Sequence, residues 1–456
     1  MNFLLGQKLV KQKEFGKALN IFLNLENNQD KDIRVFFYLG IIYFELNDFN
    51  KSIFFYNKFL KEEPNSKNAL LNLAIVKQSI GKINEAKKIY LRLIDIDESK
   101  LSPYFGLLTL DESYLTDKNY TNINKIKKNQ NLNYYEKGIV NFILSKKEKK
   151  KKNFKKEIEY LKNFHLNIFN SNYDYNTSSQ FYYDHIIKKN FNKIEFINEN
   201  KNEFKNNKLQ PIFVIGLPRS GSTLIESILT SGTDKIKSCG ESHVVNTSIL
   251  DQIGPRIYTK HFDINKFKFQ IDSNIFQDTI IKKYLMFNVV GNQQNKIFID
   301  KSLENFFNID IILNSFPNAK FLHTFKNYTD SIISIYQSML PELSWTHKID
   351  DILRYIENYH QAISYFKLKY PNMIMDVNLE EFTEKKEEIS KKIYKFCNLK
   401  WNKKVLDFYK RDNLYSKTLS FTQIRKKISN YNNKKYKSYF YLLNEYQKKY
   451  KWINIS

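Results

Sequence analysis

Apolar residues in the first third of the chain recur in a helical rhythm inside units that themselves repeat every 34 residues. With Gly6, Gly40 and Ala74 as equivalent positions, Leu5, Leu39 and Leu73 stand one residue earlier. Ala18, Ser52 and Ala86 stand twelve later, and Phe22, Tyr56 and Tyr90 sixteen later. A small residue lets two antiparallel helices approach and a large one fills the next gap, which is what a stack of helical hairpins requires. Pro64 closes the second unit, where a helix must stop. A degraded fourth unit is expected around Tyr104 to Leu110, and a further helical pair between about Asn133 and Phe164 caps the array.

The pattern then changes. No glycine occurs between Gly138 and Gly216, and this stretch reads as long polar helices. The run Lys146 to Lys156 reads as solvated helix ends. Near residue 208 the Lys- and Asn-rich sequence gives way to the apolar run Pro211 to Ile215, which predicts a buried strand opening a new domain. The expected organisation is α plus α/β: a helical-repeat domain over 1–165, a helical linker over 166–208, and over 209–456 a P-loop-like α/β domain with a central parallel sheet. The repeat positions resemble the tetratricopeptide repeat.

Composition modifies this picture only slightly. Lys+Arg 73 against Asp+Glu 48 gives a formal charge of +25, which by itself suggests an anionic partner. Only seven of the cations are arginines, namely Arg34, Arg92, Arg219, Arg256, Arg354, Arg411 and Arg425. Readers of nucleic acid lean on the bidentate fork of Arg, so a lysine excess spread over the surface argues against nucleic acid as partner. Cys239 and Cys397 are too few and too far apart for a disulfide framework or a zinc cluster. The most apolar run, Val35 to Phe44, is shorter than the roughly 18 residues a spanning helix needs, and Met1 to Lys11 lacks a signal-peptide pattern. A cytoplasmic location without a transmembrane segment is expected.

The sharpest local signal is PIFVIGLPRSGSTLIESIL, residues 211–229. An apolar run ends at Gly216, a tight loop carries Arg219, Ser220, Gly221, Ser222 and Thr223, and Leu224, Ile225, Ile228 and Leu229 continue at helical spacing. This strand, loop and helix order places backbone N–H groups where they hold an anion. Ser222 occupies the position at which a nucleoside-triphosphatase loop has its lysine, while Arg219 supplies positive charge from inside the loop. Neither a triphosphate nor an obligatory metal is implied.

Residues 217–224, LPRSGSTL, resemble the loop that holds the 5′-phosphosulfate of 3′-phosphoadenosine 5′-phosphosulfate (PAPS) in sulfotransferases. Fused to tetratricopeptide repeats, the chain resembles bacterial TPR-containing sulfotransferases, whose catalytic half is similar to protein-tyrosine sulfotransferases. The resemblance implies that Arg219, Ser220, Gly221, Ser222 and Thr223 cradle the phosphosulfate. It puts the donor 3′-phosphate on Lys326, where the family has Arg, and on Ser334 eight residues later. It implies that Lys301, at the end of KIFIDKS, neutralises charge on the bridging oxygen, and that Ser420 contacts the transferring sulfuryl group. Lys435 contacts donor phosphate in the same scheme, with Arg425 and Lys426 adding charge nearby. Glu241, after Gly240, is the implied general base. The tyrosine sulfotransferases carry a second glutamate where this chain has Ser242, so His243 is the alternative base. Leu379 stands where the family has Tyr.

The reaction thus implied is in-line sulfuryl transfer from PAPS to an acceptor hydroxyl, with no metal and no covalent enzyme intermediate. The acceptor is a protein or peptide, tyrosine included, held by the repeats, or a saccharide. Two other classes compete with it: a P-loop kinase, against which Ser222 argues, and a TPR adaptor with an inactive P-loop-like domain, for which Lys326, Leu379 and the Glu-Ser-His segment argue.

Overall fold

The computed structural model describes residues 2–27, 32–198, 209–233, 236–259, 262–287, 289–290, 296–411, 414–417 and 421–454. The 34-residue period becomes three helical hairpins: α1 (Asn2–Lys11) with α2 (Phe15–Glu26), α3 (Arg34–Glu45) with α4 (Phe49–Glu62), and α5 (Lys67–Ser79) with α6 (Ile83–Ile96). The small-to-large register explains their closeness. A Cβ added at Gly6 would lie 2.8 Å from the Phe22 ring, and one at Gly40 would lie 2.7 Å from the Tyr56 ring. Ala18, Ser52 and Ala86 are fully buried. The fourth unit, α7 (Leu101–Leu110) and α8 (Asp117–Lys127), keeps the same logic one unit over, because Gly106 packs on the Tyr90 ring of the third. The final pair is α9 (Tyr134–Lys150) and α10 (Phe154–Ser171). α9 opens on a capping box between Asn133 and Glu136.

The strands are β1 (Glu195–Ile197), β2 (Gln210–Gly216), β3 (Lys237–Ser238), β4 (Gln270–Asp272), β5 (Ile297–Asp300), β6 (Lys320–Phe325) and β7 (Ile374–Asn378). β1 pairs with β4, so the stretch expected as a linker also carries a strand. Its Tyr182, Ile186, Ile187 and Phe191 join the main core. The other five strands form one parallel sheet in the order β3-β5-β2-β6-β7. Alternation explains why the 211–215 run is apolar throughout. Phe213, Ile215, Phe298 and Phe321 face one buried layer, and Ile212, Val214, Ile299, Leu322 and Val377 face the other. The chain leaves β2 on one side to reach β3 and β5, then crosses over to β6 and β7. The carboxyl end of β2 is therefore the switch point where such sheets leave a crevice.

The helical unit and the sheet unit share a seam. The Tyr415 ring lies 4.9 Å from that of Phe49, and the Ser416 N–H donates to the Ser79 carbonyl at 3.0 Å. Arg425 donates to the same carbonyl at 2.9 Å, and Lys417 pairs with Glu45 at 3.5 Å. Elsewhere on the seam His165 of α10 stacks on Tyr336 and donates Nε2–H to the Tyr336 carbonyl at 2.8 Å. With His165 neutral, its Nδ1 accepts from Nδ1–H of His347, 3.2 Å away.

Burial pushes His165 down to about 3 and His347 down to about 4. An unfolded histidine titrates near pH 6.5, so this contact is at full strength above that value and weakens as the pH falls toward 4. At pH 5 each ring withholds a proton at a cost of about 2 kcal/mol. Urea denaturation between pH 7 and pH 5 is expected to show falling stability, with a shallower fall in His347→Gln; an identical pH slope in that variant contradicts the assignment.

Candidate active site

The loop after β2 takes a path few residues tolerate. Gly216 has φ +138°, and a Cβ there would collide with the Thr324 carbonyl oxygen of β6. Arg219 has φ 65°, a left-handed conformation that costs a non-glycine residue about 1–3 kcal/mol and that tends to be stored at functional sites. Gly221, at φ +91°, leaves room for Leu379: a Cβ would sit 2.6 Å from its methyl group. Leu379 thus packs on the loop from the end of β7. Ser220 Oγ is 2.8 Å from Thr324 Oγ1, which pins the loop to β6. The helix Ser222–Ser231 starts from Gly221 with no side-chain cap, and Ser222 and Thr223 in its first turn are buried. Its first-turn amides and positive dipole end face the crevice side of the sheet, a setting that favours an anion.

At the end of β5, Lys301 is 1% exposed and lies between two carboxylates. Its Nζ is 2.7 Å from Glu241 Oε1 and 3.6 Å from Glu226 Oε2. Burial works against the charged lysine, but Glu241 and Glu226 together hold its pKa above the ordinary value. Burial raises the Glu226 carboxyl despite Lys301, and Ser238 Oγ donates to it. Glu226 went unrecognised in the sequence, although it is the one acid on an otherwise neutral, largely buried helix. Lys301 N–H donates to the Gly240 carbonyl at 2.9 Å, so the backbone also ties the Glu241 segment to β5. His243 is otherwise engaged. Its Nδ1 is 2.5 Å from Glu304 Oε1, and the Glu304 charge raises it to about 9.

At the end of β6, Lys326 is 3% exposed and packs on the Tyr436 and Tyr431 rings at 5.1 and 5.9 Å. Burial, reinforced by the positive charge of Arg219, lowers it to about 8 against the attraction of Tyr436 and Asp330. Tyr436 Oη donates to Ser334 Oγ at 3.1 Å, and exposed Lys435 lies 5.1 Å from the Tyr436 ring. Although burial alone would raise the Tyr436 phenol, Lys326 and Lys435 hold it below its ordinary value. Lys326, Ser334 and Lys435 therefore meet around Tyr436, one tyrosine among 31 that nothing in the sequence singles out. Arg219 is half-buried, which lowers its pKa, and it feels both Tyr436 and Glu241, so it stands between the two clusters. Ser420 lies outside the described residues. The run 146–156 divides: Lys150, Lys151, Lys152, Lys155 and Lys156 are exposed, but Lys146 and Lys149 are half-buried in the seam, because α9 runs on through them.

Residues 211–403 match the sulfotransferase family, and residues 34–66 and 68–100 each match the tetratricopeptide repeat. An uncharacterized protein of Aquifex aeolicus (strain VF5) is 27% identical over 384 residues, covering 81% of this chain and 48% of that protein. The chain thus spans about half the length of the curated relative it matches. Among solved structures, the sulfotransferase domain from the curacin biosynthetic pathway is 16% identical with a TM-score of 0.33, covering 49% of this chain and 84% of that one. A sulfotransferase from Mycobacterium tuberculosis H37Rv is 11% identical with a TM-score of 0.31, covering 68% and 97%. The chain therefore carries tetratricopeptide repeats followed by a sulfotransferase-family domain with a central parallel sheet. Among the described residues no helix is long and apolar enough to cross a membrane.

The His243–Glu304 pair contributes stability below pH 6.5, the value of a free histidine, and loses it as the pH rises through about 9. The imidazole is half-exposed at 48%, so the shift is salt-sensitive. Titration of the His243 ring by NMR is expected to give a midpoint well above 6.5 that falls toward it in Glu304→Gln; an unshifted wild-type midpoint contradicts the pairing.

Proposed function

We propose that residues 209–456 transfer the sulfuryl group of PAPS to an acceptor hydroxyl, with Glu241 as general base. The observation that carries this reading is the meeting, along one sheet edge, of the anion-binding loop, the Lys301–Glu241 pair and the Lys326–Ser334 cluster. The residues present fit a donor with two separate anionic groups. The loop 219–223 and its helix suit the 5′-phosphosulfate, and Lys326, Ser334 and Lys435 suit a 3′-phosphate. Lys326 in place of Arg keeps the charge and loses the bidentate fork.

In the proposed step the acceptor oxygen attacks sulfur opposite the leaving phosphate. Its proton passes to Glu241 as the new O–S bond forms, and the old S–O bond breaks with its electron pair left on the phosphate. Lys301 and Arg219 stabilise that developing charge, and Ser420 is assigned to the sulfuryl oxygens. A proton on Glu241 weakens its hold on Lys301, which frees the ammonium for the leaving oxygen. His243, held cationic by Glu304, is poorly suited to accept a proton at neutral pH. We assign a peptide acceptor, its tyrosine hydroxyl included, because tetratricopeptide repeats accompany the domain; the same chemistry serves a saccharide hydroxyl. The proposed location is the cytoplasm, with no nucleic-acid partner.

Calorimetry is expected to show adenosine 3′,5′-bisphosphate binding more tightly than ATP; the reverse order overturns the donor assignment, and binding of neither favours an inactive adaptor. Glu241→Gln is expected to lower kcat by about 10²–10⁴-fold with bisphosphate binding unchanged. Near wild-type turnover in that variant removes Glu241 as the base. With ³⁵S-labelled PAPS and a host lysate, label is expected to follow protein, and label on glycan instead makes the acceptor a saccharide.

A further inference from the structure

Two cations of the helical unit reach the edge of the donor site. Lys146 and Lys149 are one turn apart on α9, so their side chains leave the helix on the same face. Both are half-buried and both grip a single residue across the seam. Lys146 Nζ donates to the Gln337 carbonyl at 2.6 Å, and Lys149 Nζ donates to Gln337 Oε1 at 2.6 Å. Gln337 is one turn past Ser334 on the helix that starts at Tyr328.

The link to the phosphate cluster is also direct on the other side. Lys149 Nζ lies 5.7 Å from the Tyr439 ring, and the Tyr439 N–H donates to the Tyr436 carbonyl at 2.9 Å. Tyr436 is the residue that contacts Ser334 and Lys326. Lys149 feels the charges of Tyr436 and Lys435, and Lys146 feels that of Arg219.

Two ammonium groups facing one uncharged amide repel each other and have given up hydration, which is costly without a counter-anion. The nearby carboxylates are Glu157 and Glu112. Glu157 is already bound by Tyr439 Oη at 2.6 Å and by Gln337 Nε2 at 3.3 Å. Burial and the charge of Lys149 lower Lys146 to about 7, and burial raises Glu157; among the described residues neither lysine forms an ion pair with a carboxylate, and the hydrogen bonds of both go to Gln337 alone.

We propose that Lys146 and Lys149 extend the donor site across the seam and hold, with Lys435, the 3′-phosphate of the donor nucleotide. This rests on the sulfuryl-transfer reading above and adds to it a requirement: the helical repeats are part of the nucleotide site and not only an acceptor platform.

The test uses the full chain with Lys146→Met and Lys149→Met combined, which removes the ammonium groups over the Phe142 and Tyr439 rings and keeps an unbranched apolar side chain of similar length in their place. Calorimetry compares adenosine 3′,5′-bisphosphate with adenosine 5′-monophosphate, which lacks the 3′-phosphate. The bisphosphate affinity is expected to fall about 10-fold or more, while that for the monophosphate is unchanged. Lys149→Gln, which retains a donor for Gln337, is expected to lose part of this affinity, and Lys149→Arg to keep most of it. These single variants decide the matter if the double variant does not fold. Equal bisphosphate binding by wild type and variants overturns the inference alone, as does an equal loss for both nucleotides. Unchanged donor binding with a raised acceptor KM overturns it too, and moves the two lysines to an acidic acceptor. A wild-type protein that binds no bisphosphate overturns this inference and the sulfuryl-transfer reading together.

Discussion

A cation in a protein interior persists only where something repays its lost hydration, and the sheet edge of this protein solves that problem in two different ways. At Lys301 the chain supplies the counter-charge itself, in Glu226 and Glu241, and the lysine stays firmly protonated. At Lys326 the counter-charge is too weak. There the lysine meets phenol rings, and its pKa falls because burial and Arg219 outweigh the attraction of Tyr436 and Asp330. The first arrangement suits a group that must sit beside a base and respond when that base takes a proton. The second suits a site whose missing charge arrives with an anionic ligand.

The parallel sheet makes this division possible. With β2 between β5 and β6, the loop at 217–221, Lys301 and Lys326 all emerge at carboxyl ends of neighbouring strands. The loop is then fixed from both flanks: Ser220 is bonded to Thr324 of β6, and Leu379 at the end of β7 packs on Gly221. Leu379 makes apolar contact with the loop at Gly221, where a larger side chain on the glycine would collide with it. The strained Arg219 backbone is held in place by these surroundings, as stored strain requires.

The helical unit is not an appendage to this arrangement. The seam buries His165 against Tyr336 and His347, ties Arg425 and Ser416 to the end of α5, and brings α9 against the helix that carries Ser334. One hydrophobic core runs from Leu70 of α5 to the Phe213 face of the sheet. A domain whose core continues into its neighbour is poorly placed to move as a free tether, and groups at the seam feel the state of both units.

What the sequence by itself determined is what depends on short range. The 34-residue period set the helical hairpins, because a small residue and a large one sixteen apart decide how closely two helices pack. The loop at 217–223 was legible because strand, glycines and helix follow one another directly, whereas Lys301, Lys326 and Ser334 were singled out only through the resemblance to sulfotransferases. Only the tertiary structure decided which charges meet. Glu226 faces Lys301 from 75 residues away, Tyr436 reaches Ser334 across 102, and Lys146 reaches Gln337 across 191. It also decided that His243 is paired with Glu304 and that Lys146 and Lys149 of a polybasic run are half-buried in the seam while Lys150, Lys151 and Lys152 are exposed. Electrostatic energy depends on distance in space and on lost hydration, and a chain read in order contains neither.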